Sequence, residues 1–354
     1  MRLAVDVSGG DNAPDAIVLG AIEALQHLGE GDSLSLVGPE HDISEILREQ
    51  SINDPRLVVE HAPDVIAMDE SPVEAVRTKK DSSLVRMCTL ASHKVETPVD
   101  AVISAGNTGA CVSAATMLMR RLPGVHRPGI AVTLPTFHGP VVVCDAGANP
   151  EPRSSHLLQY AVMAETYAAN ALGIDKPRVA VLNIGSEEAK GTRTIKETRD
   201  LLKEAPGINY IGYIEARDLF DGATDVVVTD GFVGNTVLKL AEGLARSLIS
   251  NVFHAIMEND PGMAAQLEPV ARQLFSRNDY HEYGGAPLLG VNGVCMICHG
   301  SSESRTIANA IRTTSQYVRE HVNDSIVRRL AEVTPVVEPH LKAFAASAAA
   351  DPAA

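Results

Sequence analysis

Six short apolar segments of the chain each end in a small, polar, glycine-rich turn. Turns of this kind expose several backbone N–H groups, and they often lead into a helix N-terminus, where the macrodipole also favours negative charge. Brought together at one sheet edge, such turns would bind a phosphate or a carboxylate. The turns are residues 8–11, 105–109, 145–149, 183–186, 230–235 and 299–302. A single turn would be weak evidence, but each of the six also carries Asp, Asn, Ser or His.

Lys190 is a candidate for chemistry at such an anion site. It follows the apolar segment 179–182 by eight residues, next to Glu187 and Glu188. Its ammonium could neutralise a bound phosphate or, if desolvated, act as a nucleophile. The two glutamates favour the protonated form unless burial outweighs them. Since a single lysine is more often a solvent-facing charge, the sequence alone leaves this role open.

Residues 295–299 match the attachment pattern of a c-type haem. We reject haem attachment as the function of this segment. The segment lies in an apolar, strand-like run, and nothing in the sequence indicates export to an oxidising compartment. Five cysteines, an odd number, also favour buried reduced thiols over a disulfide framework. His299 ends this run beside Gly300, a position that favours a site residue over a core histidine.

Cations are concentrated in two stretches of an otherwise acidic chain, whose formal net charge is -15. A solvated surface is the default interpretation. The alternative is a contact for an acidic protein, whose association these charges would accelerate. The cations are Arg77, Lys79, Lys80, Arg86, Arg120, Arg121 and Arg127.

The bulk composition indicates a globular protein that does not bind nucleic acid. The chain has 354 residues, enough for two domains or one elaborated unit with a large core. Its negative charge repels DNA and RNA, and an aromatic content of 4% without tryptophan disfavours a base-stacking platform. No segment approaches the roughly 20 apolar residues that span a bilayer, and the N-terminus lacks a signal-peptide core. We therefore expect a cytosolic protein.

Strand and helix patterns alternate over most of the chain. Runs of β-branched residues, such as 99–103, 141–144 and 179–182, predict buried parallel strands, and residues 156–171 are typical of the helices between them. Strands that alternate with such helices are joined by right-handed crossovers. The predicted fold class is therefore α/β, a mostly parallel sheet with flanking helices, which binds ligands outside the carboxyl ends of its strands.

Residues 235–275 predict a helical hairpin that projects from the sheet. Apolar pairs recur at helical spacing, and Pro261 separates the two limbs. A dimer core is the leading interpretation of the wide apolar face. A tip that touches a membrane is the second, although Glu258 and Asp260 oppose attraction to anionic lipid.

We predict a single elaborated catalytic unit over residues 1–334. Beyond it the periodic pattern dissolves around Pro335 and Pro339 and then becomes alanine-rich. We therefore expect residues 335–354 to be a disordered tail.

Several of these segments resemble the PlsX family, the phosphate acyltransferases of bacterial phospholipid synthesis. The matches follow the order of the family and cover nearly the whole predicted unit. Departures are local: Ser186 stands where Glu is usual, Ala216 where Gly is usual, and Val7-Ser8 where a small residue and Met are usual. The matching segments are residues 4–14, 77–83, 103–110, 145–149, 230–235, 283–291 and 299–302.

This resemblance implies an enzyme that transfers a long-chain acyl group from acyl carrier protein to inorganic phosphate, without a metal or cofactor. The acyl phosphate product then serves a membrane glycerol-3-phosphate acyltransferase. The family's fold is similar to that of phosphotransacetylases and isocitrate/isopropylmalate dehydrogenases. Its members are homodimers that can associate peripherally with a membrane.

The resemblance also points to Lys190 and Asn235 as the reacting pair. The Asn235 amide can stabilise an oxyanion on the thioester carbonyl. Lys190 would position phosphate electrostatically or carry the acyl group as an amide, and the first is chemically easier because an amide is a poor acyl donor. Contact with the acidic carrier protein is expected from Arg77, Lys79 and Lys80. Phosphate or thioester contacts are expected from Asp6, Gly9, Gly10, Asp11, Ser104, Asn107, Thr108, Gly109, Asp145, Asn149, Asn183, Asp230 and His299.

Two other functions remain as alternatives. The first is a nicotinamide- and metal-dependent dehydrogenase on the same fold, with Asp221, Asp225 and Asp230 as metal ligands. The usual nucleotide fingerprints are missing, which argues against it. The second is a non-catalytic scaffold at a membrane edge, which would leave the glycine turns without a purpose.

Overall fold

The computed structural model describes residues 1–259, 262–263 and 284–350. Within these residues, eleven strands form one mixed sheet. The strands are β1 (Arg2–Asp6), β2 (Ser33–Gly38), β3 (Leu57–His61), β4 (Ala101–Ser104), β5 (Gly129–Leu134), β6 (Val141–Cys144), β7 (Arg178–Leu182), β8 (Asn209–Ile214), β9 (Val226–Val228), β10 (Ala286–Leu289) and β11 (Val294–Ile297).

Helices cover both faces of this sheet. One buried cluster takes side chains from the first, sixth, ninth and tenth helices, and a second takes them from the third to fifth. No helix among the described residues has the length and apolar character that crossing a membrane requires. The helices are α1 (Asp15–Ala24), α2 (Glu40–Glu49), α3 (Pro72–Thr78), α4 (Ser83–Leu90), α5 (Thr108–Ala114), α6 (Ser154–Ala171), α7 (Arg193–Glu204), α8 (Gly231–Asn259), α9 (Ser304–Arg319) and α10 (Val322–Ala350).

The predicted α/β class is confirmed, and the sheet is mostly parallel. Its strand order is β3-β2-β1-β4-β11-β10-β5-β6-β9-β7-β8. Three neighbouring pairs are antiparallel, namely β11 with β10, β10 with β5, and β5 with β6. These reversals divide the sheet into two parallel halves that run in opposite directions.

The register across the three antiparallel pairs brings the carboxyl ends of both halves together. Ile297, the last residue of β11, pairs with Ala286 of β10, and Cys144, the last residue of β6, pairs with Ala131 of β5. The β10–β5 register places Ala286 and Ala131 almost level along the sheet. The glycine-rich turns therefore do not share one sheet edge, as the sequence suggested. They form two groups that approach the same region from opposite sides.

Helix α10 extends beyond residue 334, the predicted end of the catalytic unit. α10 continues through Pro335 and Pro339 to Ala350. Val337 is completely buried, and Leu341 packs against the same core cluster. Burial of these apolar side chains, together with the high helix propensity of alanine, outweighs the two prolines.

The predicted hairpin is described only in part. Its first limb is α8, a long helix that begins four residues earlier than expected, at Gly231. Most of the second limb lies outside the described residues. Along α8, Leu240, Leu244, Leu248 and Val252 recur every fourth residue and are exposed.

Candidate active site

A cavity of about 300 Å³ opens where the two groups of turns approach each other. Of the predicted site residues, Asp11, Thr108, Asn235 and His299 line it. Apolar side chains supply much of the remaining wall, among them Met68, Ile130, Val132, Ala146, Leu238 and Ile297. The cavity therefore combines an apolar lining with a few polar groups, which is typical of small-molecule sites.

The turns after β1 and β11 are joined to each other. The Asp11 N–H donates to the Gly300 carbonyl at 2.7 Å. Gly10, which precedes Asp11 in the turn after β1, has φ +105°, and a Cβ there would lie 3.0 Å from the Gly300 carbonyl oxygen. Glycine is therefore required at position 10 both for its backbone conformation and for this close approach.

The buried Asp6 carboxylate supports the turns after β1 and β4. Its Oδ2 accepts a hydrogen bond from the Ser104 hydroxyl at 2.7 Å, and the Gly106 N–H donates to that hydroxyl at 3.0 Å. Burial raises the pKa of the Asp6 carboxyl, and the Ser104 hydroxyl opposes this effect. Gly9 packs against the carboxylate. Asp6, Gly9, Gly10 and Ser104 do not line the cavity, so the structure gives them a supporting position.

The Asn107 side chain is occupied by the protein itself. Its Oδ1 accepts from the Ala110 N–H at 3.0 Å and caps α5, while Nδ2 donates to the carbonyls of Ala67, Met68 and Glu70. Gly109 packs against Pro72. Thr108 alone of these three residues faces the cavity.

Asp145 holds the turn after β6. Its Oδ1 accepts from the N–H groups of Ile130, Gly147 and Ala148 at 3.0 to 3.1 Å, and its Oδ2 accepts from that of Asn149 at 2.6 Å. Burial raises the pKa of the Asp145 carboxyl, and these backbone N–H groups oppose the shift. Asn149 donates through Nδ2 to the Pro128 carbonyl at 2.6 Å. Both predicted contact residues are thus engaged in the turn.

The first turns of α8 pack directly on this Asp145 turn. The Gly231 N–H donates to the Asn149 carbonyl at 2.8 Å. A Cβ at Gly234 would lie 2.0 Å from the Asp145 carbonyl oxygen, too close for any side chain. Asp230 caps the helix, since its Oδ1 accepts from the Val233 N–H at 2.8 Å. These contacts fix the position of Asn235, the next residue in the helix.

Lys239 and Glu242 belong to the cavity wall and were missed by the sequence analysis. Lys239 Nζ lies 3.0 Å from Glu242 Oε2 and 3.1 Å from His299 Nε2. The hydroxyl of Ser301 lies 2.8 Å from His299 Nδ1. Lys239 follows Asn235 by four residues, so the two share one face of α8. This spacing was a usable signal once Asn235 had been singled out.

Lys190 lies outside this cavity. A second cavity, of about 810 Å³, lies on the other side of the α8 N-terminus, with Asn183 and Asp230 in its wall. Lys190 lines neither of these two cavities. Its Nζ pairs with Glu187 Oε2 at 2.7 Å, and this hydrogen bond lowers the pKa of Glu187. The pairing of Lys190 with Asn235 in catalysis therefore stays a prediction.

The predicted carrier-protein contact is only partly available. Lys79 Nζ pairs with Glu70 at 2.6 Å and also donates to the Val65 carbonyl at 2.8 Å. Arg77 and Lys80 are exposed. Lys80 Nζ donates to the Val76 carbonyl at 2.9 Å, but unlike Lys79 it does so without a carboxylate partner among the described residues. Any basic contact on this surface would therefore rest on Arg77 and Lys80 more than on Lys79.

The thiols near the cavity are buried. Cys298 lines the wall, and burial raises the pKa of its thiol to about 12. Cys111 and Cys295 lie behind it with their sulfurs 3.6 Å apart. All five cysteines are buried and unbridged. A thiol with a raised pKa is a poor nucleophile and a poor metal ligand at neutral pH, so this arrangement agrees with structural thiols.

The chain is similar to known proteins over most of its length. Residues 1–325 match the family described as fatty acid synthesis protein. The chain is 40% identical over 353 residues to a phosphate acyltransferase of Geotalea daltonii, which covers 99% of this chain and 100% of that protein. It is 44% identical over 340 residues to a phosphate acyltransferase of Heliobacterium modesticaldum, across 95% of this chain and 100% of that protein.

The fold resembles that of a phosphotransacetylase. The solved structure of such an enzyme from Streptococcus pyogenes superimposes with a TM-score of 0.59, at 15% sequence identity, over 90% of this chain and 94% of that one. This likeness confirms the predicted relation to the phosphotransacetylase fold. The family match over residues 1–325 and the identities over most of the sequence show that the chain belongs to the fatty acid synthesis protein family, the phosphate acyltransferases that its motifs resemble.

Proposed function

We propose that this protein transfers a long-chain acyl group from acyl carrier protein to inorganic phosphate, with acyl phosphate and free carrier protein as products. The observation that carries the proposal is the first cavity, where Asn235 stands beside an apolar wall and opposite the turns after β1 and β4. The apolar wall suits an acyl chain. The family's relatives named phosphate acyltransferase support the same activity.

The reaction places defined demands on such a site. A phosphate oxygen attacks the thioester carbonyl, the carbonyl oxygen becomes an oxyanion, and the C–S bond then breaks to release the carrier thiolate. The Asn235 amide would donate a hydrogen bond to the oxyanion. In this proposal Lys190 contributes an electrostatic effect, because an acyl group carried on its side chain as an amide would be a poor donor to phosphate.

The first test is the release of free thiol from long-chain acyl carrier protein, measured with and without inorganic phosphate. We expect release that depends on phosphate, with acyl phosphate recovered as the product. Equal release without phosphate would indicate a hydrolase and contradict the proposal. No release by a folded sample would also contradict it and would favour the scaffold alternative.

Contact with the carrier protein is the second testable part. Reversing the charges of Arg77 and Lys80 to glutamate should lower kcat/KM for the acyl carrier about tenfold at low salt, because steering of an acidic partner is lost. The loss should shrink at high salt. Arg48→Glu, on the exposed face of α2, is the matched control. If Arg48→Glu lowers kcat/KM as much as the reversal of Arg77 and Lys80 does, the contact lies elsewhere.

The geometry disfavours the dehydrogenase alternative. Asp225 precedes β9 and is paired with Arg178 at 2.9 Å, whereas Asp230 follows β9 and caps α8. The two carboxylates therefore lie at opposite ends of one strand and do not converge on a metal.

In this proposal the exposed stripe Leu240, Leu244, Leu248 and Val252 is the homodimer contact, and peripheral membrane association remains part of the same hypothesis.

A further inference from the structure

We propose that Lys239 binds the inorganic phosphate in the first cavity and that Glu242 and His299 position the Lys239 ammonium. This inference rests on the proposed function, in which phosphate is the acyl acceptor. Lys239 and Glu242 were not marked by any sequence motif, whereas His299 was already an expected contact residue. The argument depends on the charges around the cavity, on the geometry of the ammonium group and on its distance along α8 from Asn235.

Lys239 supplies the positive charge that this cavity otherwise lacks. Among the described residues that line it, Lys239 is the only lysine or arginine, and Asp11 and Glu242 are both acidic. A phosphate without Lys239 would face two carboxylates in a partly apolar cavity, where repulsion between like charges is poorly screened. Lys190 does not line this cavity, and the Asn107 amide is already bonded to backbone carbonyls.

The geometry of the ammonium group suits this role. A lysine ammonium has three N–H donors. Glu242 Oε2 at 3.0 Å accepts from one of them, and His299 Nε2 at 3.1 Å accepts from a second only in the tautomer that carries its proton on Nδ1. At least one donor is therefore left for a ligand in the cavity. A compact, strongly charged ammonium is a common partner for phosphate.

Glu242 and His299 hold the ammonium in place. The Glu242 side chain is only 15% exposed, against 47% for Lys239, so the carboxylate is a fixed anchor beside a more accessible cation. The Ser301 hydroxyl, 2.8 Å from His299 Nδ1, fixes the imidazole on its other side. The ammonium therefore approaches the cavity from a defined direction without large rearrangement.

The placement also suits the reaction. Asn235 and Lys239 are one helical turn apart on the same face of α8, and both line the first cavity. A phosphate bound to Lys239 would lie next to a carbonyl whose oxygen faces the Asn235 amide. One rigid helix would thus orient the nucleophile and stabilise the oxyanion, which lowers the entropic cost of bringing the two substrates together.

The test compares Lys239→Met and Lys239→Arg with the unsubstituted protein. Loss of a charge-assisted hydrogen bond should raise KM for phosphate about 10- to 150-fold in Lys239→Met, with little change in KM for the acyl carrier. Lys239→Arg keeps the charge and should retain part of the phosphate affinity. Lys342→Met is the control, because Lys342 forms a similar ion pair with Glu338 on α10. An unchanged phosphate KM in Lys239→Met would overturn the inference.

A binding measurement separates this inference from the proposed function. Titration of the full chain with inorganic phosphate, followed calorimetrically, requires no turnover. Binding that is lost in Lys239→Met but kept in Lys342→Met supports the inference even if no thiol is released. Equal binding by Lys239→Met and the unsubstituted protein overturns it, as does the absence of phosphate binding to the unsubstituted protein.

Discussion

Replacing Asn235 by alanine is expected to lower kcat about 10²- to 10³-fold, the usual loss when one oxyanion-stabilising donor is removed. The amide is proposed to bind the carbonyl oxygen most strongly after it becomes an oxyanion. The substitution should therefore lower kcat and kcat/KM by similar factors and leave KM for both substrates nearly unchanged. Steady-state kinetics with long-chain acyl carrier protein and saturating phosphate measures this effect.

Stability provides the necessary control for that result. Asn235 is exposed on α8, so its truncation should leave the folded state intact. Thr236→Ala is the matched variant, since Thr236 is the exposed neighbour and its hydroxyl donates only to the Phe232 carbonyl within its own helix. Thr236→Ala should keep its activity. A rise in KM for the carrier with an unchanged kcat in Asn235→Ala would instead assign Asn235 to ground-state binding.

The sequence was informative about where the first cavity lies. β-branched runs followed by polar glycine turns predicted β1, β4, β6, β7, β9 and β11 and the substrate region at their ends, because buried parallel strands have that local pattern. It could not reveal that the two halves of the sheet run in opposite directions. This reversal depends on β5 and β10, which pair antiparallel although they lie far apart in the sequence.

The sequence was less informative about which polar residues remain available to a ligand. Asn107 and Asp145 have the residue types expected of an anion site, yet their side chains are bonded to backbone groups of their own turns and of neighbouring segments. Asp, Asn and Ser serve as caps and turn anchors for the same chemical reason that they bind substrates, so type and spacing do not distinguish the two uses. Lys239 was overlooked because a lysine within a long amphipathic helix has the local pattern of a solvent-facing residue.

Replacing Gly234 by alanine should impair both folding and catalysis, although alanine is the better helix former. A Cβ at this position would meet the Asp145 backbone oxygen at 2.0 Å, so α8 or the Asp145 turn must move. We expect the free energy of unfolding to fall by about 1 to 3 kcal/mol, as in other overpacked sites. Displacement of the adjacent Asn235 should also lower kcat about 100-fold, since an error of roughly 1 Å in a catalytic group has that effect.

Gly243 offers a matched control in the same helix. A Cβ there meets nothing within 4 Å, so Gly243→Ala should gain up to about 1 kcal/mol from helix propensity and keep its activity. The two glycine-to-alanine substitutions should therefore change stability in opposite directions, as measured by urea unfolding at fixed protein concentration. If Gly234→Ala were as stable and as active as Gly243→Ala, the contact between α8 and the Asp145 turn would not fix Asn235. A stable Gly234→Ala protein with a low kcat would mean that the strain is relieved by a shift of α8 and that catalysis depends on where this helix begins.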